Sequence, residues 1–126
     1  MTVTVKEKDI ENAILAYLAT RRDLVPLAWK NQSVGVFDPV KKVYRKSHNK
    51  YHLNGVPDIL GVLADGRLLA IEVKRPGGRL SEFQKSFLGI ASKTGAIAFK
   101  ASSVQEVCEE LAKVAFCLSA KLDEML

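Results

Sequence analysis

Gly55-Val-Pro-Asp58-Ile-Leu-Gly-Val-Leu63, Ala64-Asp-Gly-Arg67 and Leu68-Leu-Ala-Ile-Glu72-Val-Lys74 follow one another without a break, and this stretch decides the fold. Two apolar runs of strand length flank a short polar link. An Asp-Gly step between such runs is a strong hairpin signal. Period-2 alternation puts Glu72 and Lys74 on one face of the second strand and Val73 on the other. Two charges on one face of an apolar strand are costly unless compensated. A divalent cation and a phosphate would compensate them. Mg²⁺ takes oxygen ligands and keeps several waters, so two or three carboxylates suffice.

Register tests that chemistry. A two-residue Asp65-Gly66 loop pairs Asp58 with Val73 and turns its side chain to the wrong face. A three-residue loop, Ala64-Asp65-Gly66, with Gly66 in the left-handed position, sets Asp58 opposite Glu72. The chemistry requires the second parity, which is therefore expected.

Outward from the hairpin, Pro76-Gly77-Gly78 stops the second strand, and Ser81 opens a helix to about Thr94 that Gly95 closes. Ala96 to Lys100 is a further short strand. From Ser103 a long amphipathic helix runs to the end, with Val104, Val107, Cys108, Leu111, Ala115, Leu118 and Leu122 at helical spacing. Upstream, Glu7 to Thr20 carries a helical stripe of Ile10, Ala13, Ile14, Tyr17 and Leu18. A β-like stretch follows at Val25 to Trp29. Val34 to Phe37 and Lys42 to Arg45 are short strands joined at Asp38-Pro39. The expected fold class is α/β with a restriction-endonuclease-like core: a mixed central sheet flanked by helices, in the order α-β-β-β-α-β-α.

The 126 residues suit one domain, residues 1–126, with 48% hydrophobic and 26% charged residues, an ordinary globular composition. No apolar run reaches the roughly 18 residues that span a bilayer, and no secretory signal opens the chain. A cytoplasmic protein is expected, with Cys108 and Cys117 buried and reduced. The net charge of +5 fits a polyanionic partner. Lys30, Lys41, Lys42, Arg45, Lys46 and Lys50 form one basic run, and Arg75, Arg79 and Lys85 extend a second beyond Lys74. Both flank the candidate site, which makes them candidate DNA contacts.

Gly55-Val-Pro-Asp58, Ile71-Glu-Val-Lys74-Arg-Pro-Gly-Gly and Leu80-Ser-Glu-Phe-Gln84 together resemble the VRR-NUC branch of the PD-(D/E)XK nucleases. The resemblance implies a metal-dependent endonuclease that hydrolyses DNA phosphodiester bonds with Mg²⁺ or Mn²⁺. It makes Asp58 and Glu72 metal ligands, the Val73 carbonyl a further ligand, and Lys74 the catalytic lysine. It also implies an acid from the first helix. Glu7 and Glu11 both qualify, and Glu7 is preferred for its spacing before Ile10. Their alternative role is to favour the helix dipole. Gln84 points to the active site in the family, whereas Ser81-Glu82-Phe83-Gln84 is also a capping box; both roles stay open.

Stand-alone domains of this kind resemble Holliday-junction resolvases. They imply branched DNA, a homodimer, a role in repair or recombination, and a bacterial or phage-infected cell with action at the nucleoid. A nuclease without branch preference and a non-catalytic DNA-binding module are the alternatives. His48 and His52 stand at i, i+4 but lack the further ligands that zinc demands, so a DNA-facing loop is expected there. Trp29, Phe83, Phe87, Phe99 and Phe116 are expected in the core.

Overall fold

The computed structural model describes residues 5–32, 36–45 and 50–125. Lys46, His48 and the start of the expected strand at Val34 lie outside them, as do the side chains of Arg45, Phe116, Cys117, Leu118 and Leu122.

The elements are α1 (Glu7–Ala19), β1 (Leu27–Lys30), β2 (Val36–Asp38), β3 (Val43–Arg45), β4 (Ile59–Val62), β5 (Leu68–Val73), α2 (Glu82–Lys93), β6 (Ile97–Ala101) and α3 (Val104–Met125). A four-stranded sheet runs in the order β1-β4-β5-β6, antiparallel except for the parallel β5–β6 pair. The parallel pair is closed by α2, the helical crossover that such a connection requires. β2 and β3 form a separate antiparallel ribbon. The expected mixed sheet with flanking helices is present, and the two short strands expected on either side of Asp38-Pro39 form the ribbon rather than joining that sheet. At its turn the Asp38 carboxylate accepts the N–H groups of Val40 at 2.9 Å and Lys41 at 3.2 Å, the local bonding that makes Asp a turn former.

The hairpin loop has the expected three residues. The Gly66 N–H donates to the Leu63 carbonyl at 2.9 Å, Gly66 takes φ +92°, and the Leu63 N–H meets the Arg67 carbonyl at 2.8 Å. β4 and β5 then pair from Val62 with Leu68 to Ile59 with Ile71.

Side-chain parity divides the sheet. Ile59, Leu69, Ile71, Val73 and Ala101 join Ile10, Ile14 and Leu18 of α1 and Val107, Leu111 and Val114 of α3 in one core cluster. α1 and α3 therefore share that face, and they touch each other. α2 packs on β6 with Leu88 and Ala91 buried outside the cluster. It covers the opposite face, that of Ala70 and Glu72. Each fully buried Leu or Ile contributes about 1.5–3 kcal/mol. The core thus holds both strands of the hairpin rigid up to the point where chemistry is expected. Among the described residues no helix is long and apolar enough to cross a membrane.

Trp29 and Phe83 are not core residues. They are 46% and 62% exposed: Trp29 lies on the edge strand β1, and Phe83 on the first turn of α2, at the rim of the sheet. Phe87 and Phe99 are partly buried. Cys108 is a free, half-buried thiol beside Tyr17 of α1.

Candidate active site

One step beyond the Ile59–Ile71 pair, the ladder register sets Asp58 opposite Glu72. There the strands part. The Asp58 carboxylate accepts the Val73 N–H at 2.9 Å, standing in for the backbone acceptor that the departing chain no longer offers. The Asp58 carbonyl accepts the Asn31 N–H at 2.7 Å, which ties this corner to β1.

Glu72 is 3% exposed. Its Oε1 accepts a hydrogen bond from Gln84 Nε2 at 2.9 Å and stands 3.9 Å from Lys74 Nζ. Its Oε2 is buried without a partner. Burial pushes the Glu72 carboxyl up to about 8, helped by the charge of Asp58 and a hydrogen bond shared with it; Lys74 pulls the other way, and the charge of Glu7 adds a smaller upward push. Two ionised carboxylates are acceptors only, so Oε2 finds no donor until a proton or a cation enters. Such a cluster favours a bound proton or cation between the two carboxylates.

Does the donor set fit a divalent cation? Among the described residues no three His, Cys, Asp or Glu side chains stand together as a finished cage. Asp58 and Glu72 supply two hard oxygen donors, and an orphaned buried oxygen is among them. Mg²⁺ and Mn²⁺ suit such oxygen ligands and Mg²⁺ retains waters, so the residues fit.

The two first-helix acids part company. Glu7 is exposed in the first turn of α1, close enough for its charge to act on Glu72. Glu11 is 8% exposed, and its Oε2 lies 3.5 Å from Lys30 Nζ. Lys30, expected to face DNA, is thus held by an acid of α1. An exposed pair is worth little, but a carboxylate this buried loses much if its cation leaves.

Gln84 performs both of its alternative roles, one with each end of the amide. Its Oε1 accepts the Ser81 N–H at 2.8 Å while the Ser81 hydroxyl accepts the Gln84 N–H at 3.2 Å, the capping box. Its Nε2 is the group on Glu72. This separates two variants. Ser81→Ala is expected to cost about 1 kcal/mol of stability with little effect on turnover. Gln84→Ala is expected to cost a similar amount and also to lower kcat about tenfold. Denaturant melts and single-turnover rates check both.

Of the basic candidates, Lys41 and Lys42 are exposed at the ribbon turn, and Arg75 and Arg79 are exposed after β5. Lys50 lies 5.0 Å over the Tyr51 ring, and Lys85 pairs with Glu82 at 3.3 Å. His52 is exposed. Sequence reasoning missed Lys100. β6 places it beside Glu72 in the parallel register, and its ammonium donates to the Gly78 carbonyl at 3.1 Å, pinning the loop that follows Lys74. Its position after Ala96-Ile-Ala-Phe was the available signal: an alternating strand ending in a lysine on the Glu72 face.

Comparison with known proteins bears on the family and the fold. The family model of the VRR-NUC domain matches residues 9–106. A solved structure described as a VRR_NUC domain protein superposes with a TM-score of 0.54 at 15% identity, covering 87% of this chain and 88% of that one. At that identity it speaks for the fold. No curated protein gives a significant match.

Proposed function

Because the chain belongs to the VRR-NUC family of PD-(D/E)XK nuclease domains, we propose that residues 1–126 are one nuclease domain that hydrolyses internal DNA phosphodiester bonds with Mg²⁺ or Mn²⁺. Branched DNA is the proposed substrate, as for junction resolvases, with a homodimer meeting two strands in repair or recombination. The proposed setting is the cytoplasm, at the nucleoid.

One observation carries this reading: Glu72 and Asp58 oppose each other at the parting of β4 and β5, with Glu72 Oε2 buried and unsatisfied. Asp58 and Glu72 would hold the cation, joined by the Val73 carbonyl and by Glu7. When bound, the metal supplies a Lewis acid for the phosphate and lowers the pKa of a water. Lys74 is placed to stabilise negative charge as it builds on the phosphate oxygens. Gln84 orients the Glu72 carboxylate, and Asp58 is oriented by the Val73 N–H. Arg75, Arg79, Lys41, Lys42, Lys50 and Lys85 offer sequence-independent phosphate contacts, to which Arg45 and Lys46 belong by sequence.

The test is a panel of linear, flapped and four-way DNA incubated with wild type and Glu72→Ala, in Mg²⁺, Mn²⁺ or EDTA. Metal-dependent cutting by wild type alone is expected, fastest on the branched DNA. Equal rates on linear and branched DNA would leave a nuclease without branch preference, and equal activity of the variant would remove Glu72 from the chemistry. The paired change Lys41→Glu and Lys42→Glu is expected to weaken binding to every DNA alike. It should flatten the plot of log K against log salt by about 1–2, read by anisotropy titration.

A further inference from the structure

Beside α2 the surface opens into a groove of about 480 Å³, lined by Leu53, Phe83, Phe87 and Ile90 together with the polar His52, Asn54 and Ser86. Phe83, Phe87 and Ile90 recur at helical spacing on one stripe of α2. That stripe faces the groove instead of the core: Leu53 is 60% exposed, and Phe83 and Ile90 are each 62% exposed. Large apolar side chains left open together mark a binding surface.

What fills the groove follows from what it adjoins. The Phe83 backbone is in contact with Gly55, and the next residue, Gln84, is hydrogen-bonded to Glu72. Groove and acidic cluster therefore share the first turn of α2 as a common wall. DNA with a phosphate at Glu72 and Lys74 would bring an adjacent nucleotide past the Phe83 ring. Most of the lining is aromatic or aliphatic, and His52, Asn54 and Ser86 add hydrogen-bonding groups. A nucleobase has the same division, an apolar face and a polar edge.

We propose that this groove receives an unstacked nucleobase of the DNA being cut, held on the Phe83 ring beside the scissile phosphate. The proposal rests on the nuclease reading and deepens it. A paired base inside a duplex cannot enter, and extruding one costs a few kcal/mol, least where the base is already unpaired. The groove thus favours DNA with an unpaired nucleotide next to the cut, as at a flap, gap or branch.

The experiment places 2-aminopurine, unpaired or paired, beside the cut site and measures its fluorescence and the DNA affinity, with Ca²⁺ replacing Mg²⁺ to hold back turnover. Wild type is expected to quench the unpaired probe and to bind that DNA more tightly than the matched duplex. Phe83→Ala, and independently Ile90→Ser, are expected to lose the quenching. Phe83→Ala should also reduce the unpaired-to-paired affinity ratio about 5- to 100-fold, and Phe83→Trp should retain both. Unchanged quenching and ratio in Phe83→Ala overturn the proposal. So does a shift of that variant from dimer to monomer in sedimentation with the ratio unchanged, which would make the groove a self-association surface. If wild type cuts DNA with Mg²⁺ while Phe83→Ala still quenches, only the groove assignment falls; if wild type cuts no DNA, the nuclease reading falls first.

Discussion

Glu72→Gln is expected to abolish cutting, by about 10³-fold or more, while making the metal-free protein more stable at pH 8. In the proposed mechanism the loss comes from removing a charged ligand at the reacting centre, where electrostatic stabilisation contributes most to the rate. The gain comes from linkage. Glu72 in the folded chain holds its proton up to about 8 because of burial and the charge of Asp58, against an ordinary value of 4.5. Between those two values the unfolded chain binds fewer protons than the folded one, so stability falls as pH rises through that window. Below it both states are protonated and the contribution vanishes. Glutamine never ionises, and its amide oxygen can still accept from Gln84. Its advantage should therefore be near zero at pH 4.5 and reach about 1–3 kcal/mol at pH 8, several degrees of Tm in a domain this size. Saturating Mg²⁺ or Mn²⁺ should narrow the difference, because wild type alone gains strong binding. Thermal melts of both proteins at the two pH values, with metal and with EDTA, read all of this. A variant less stable than wild type at pH 8 in EDTA would show that Glu72 is not an uncompensated buried acid.

Gly55→Ala is the second large effect. A Cβ on Gly55 would lie 2.4 Å from the backbone carbon and oxygen of Phe83 and 2.8 Å from the Gln84 nitrogen, at φ +80°. Backbone atoms cannot swing aside as a flexible side chain can. The left-handed conformation alone costs about 1–2 kcal/mol for a residue with a Cβ, and forced overpacking adds about 1–3 kcal/mol. A loss of about 2–5 kcal/mol is expected, a large share of a domain's total stability. Relief requires α2 to move off the loop that leads into Asp58, which carries Gln84 away from Glu72. Turnover should fall about tenfold or more even where the protein stays folded. Gly66→Ala is the control: it also has positive φ, but nothing lies within 4 Å of its Cβ, so only the conformational cost of about 1–2 kcal/mol and normal turnover are expected. Melting curves with rates measured well below the transition separate the two variants.

The core of the site was legible because it depends on local rules. Loop length and strand parity set Asp58 against Glu72, and the structure has that register. The capping signal at Ser81 likewise located the start of α2. What stayed hidden depends on contacts between distant segments. Nothing near Lys30 announces that its ammonium lies on Glu11 across α1 and β1. The spacing of Phe83 and Phe87 marks an amphipathic stripe, but periodicity does not say whether the stripe faces the core or an open groove. Gln84 was ambiguous because capping and site contact each need only one end of its amide; the fold uses both.

Mn²⁺ soaked into crystals of the wild-type protein, located by anomalous scattering, puts the central claim to its most direct trial. An anomalous peak is expected within about 2.0–2.4 Å of carboxylate oxygens of both Asp58 and Glu72, and it should be absent in Glu72→Gln. A strong peak elsewhere, with these two carboxylates unliganded in a protein that still cuts DNA, would contradict it.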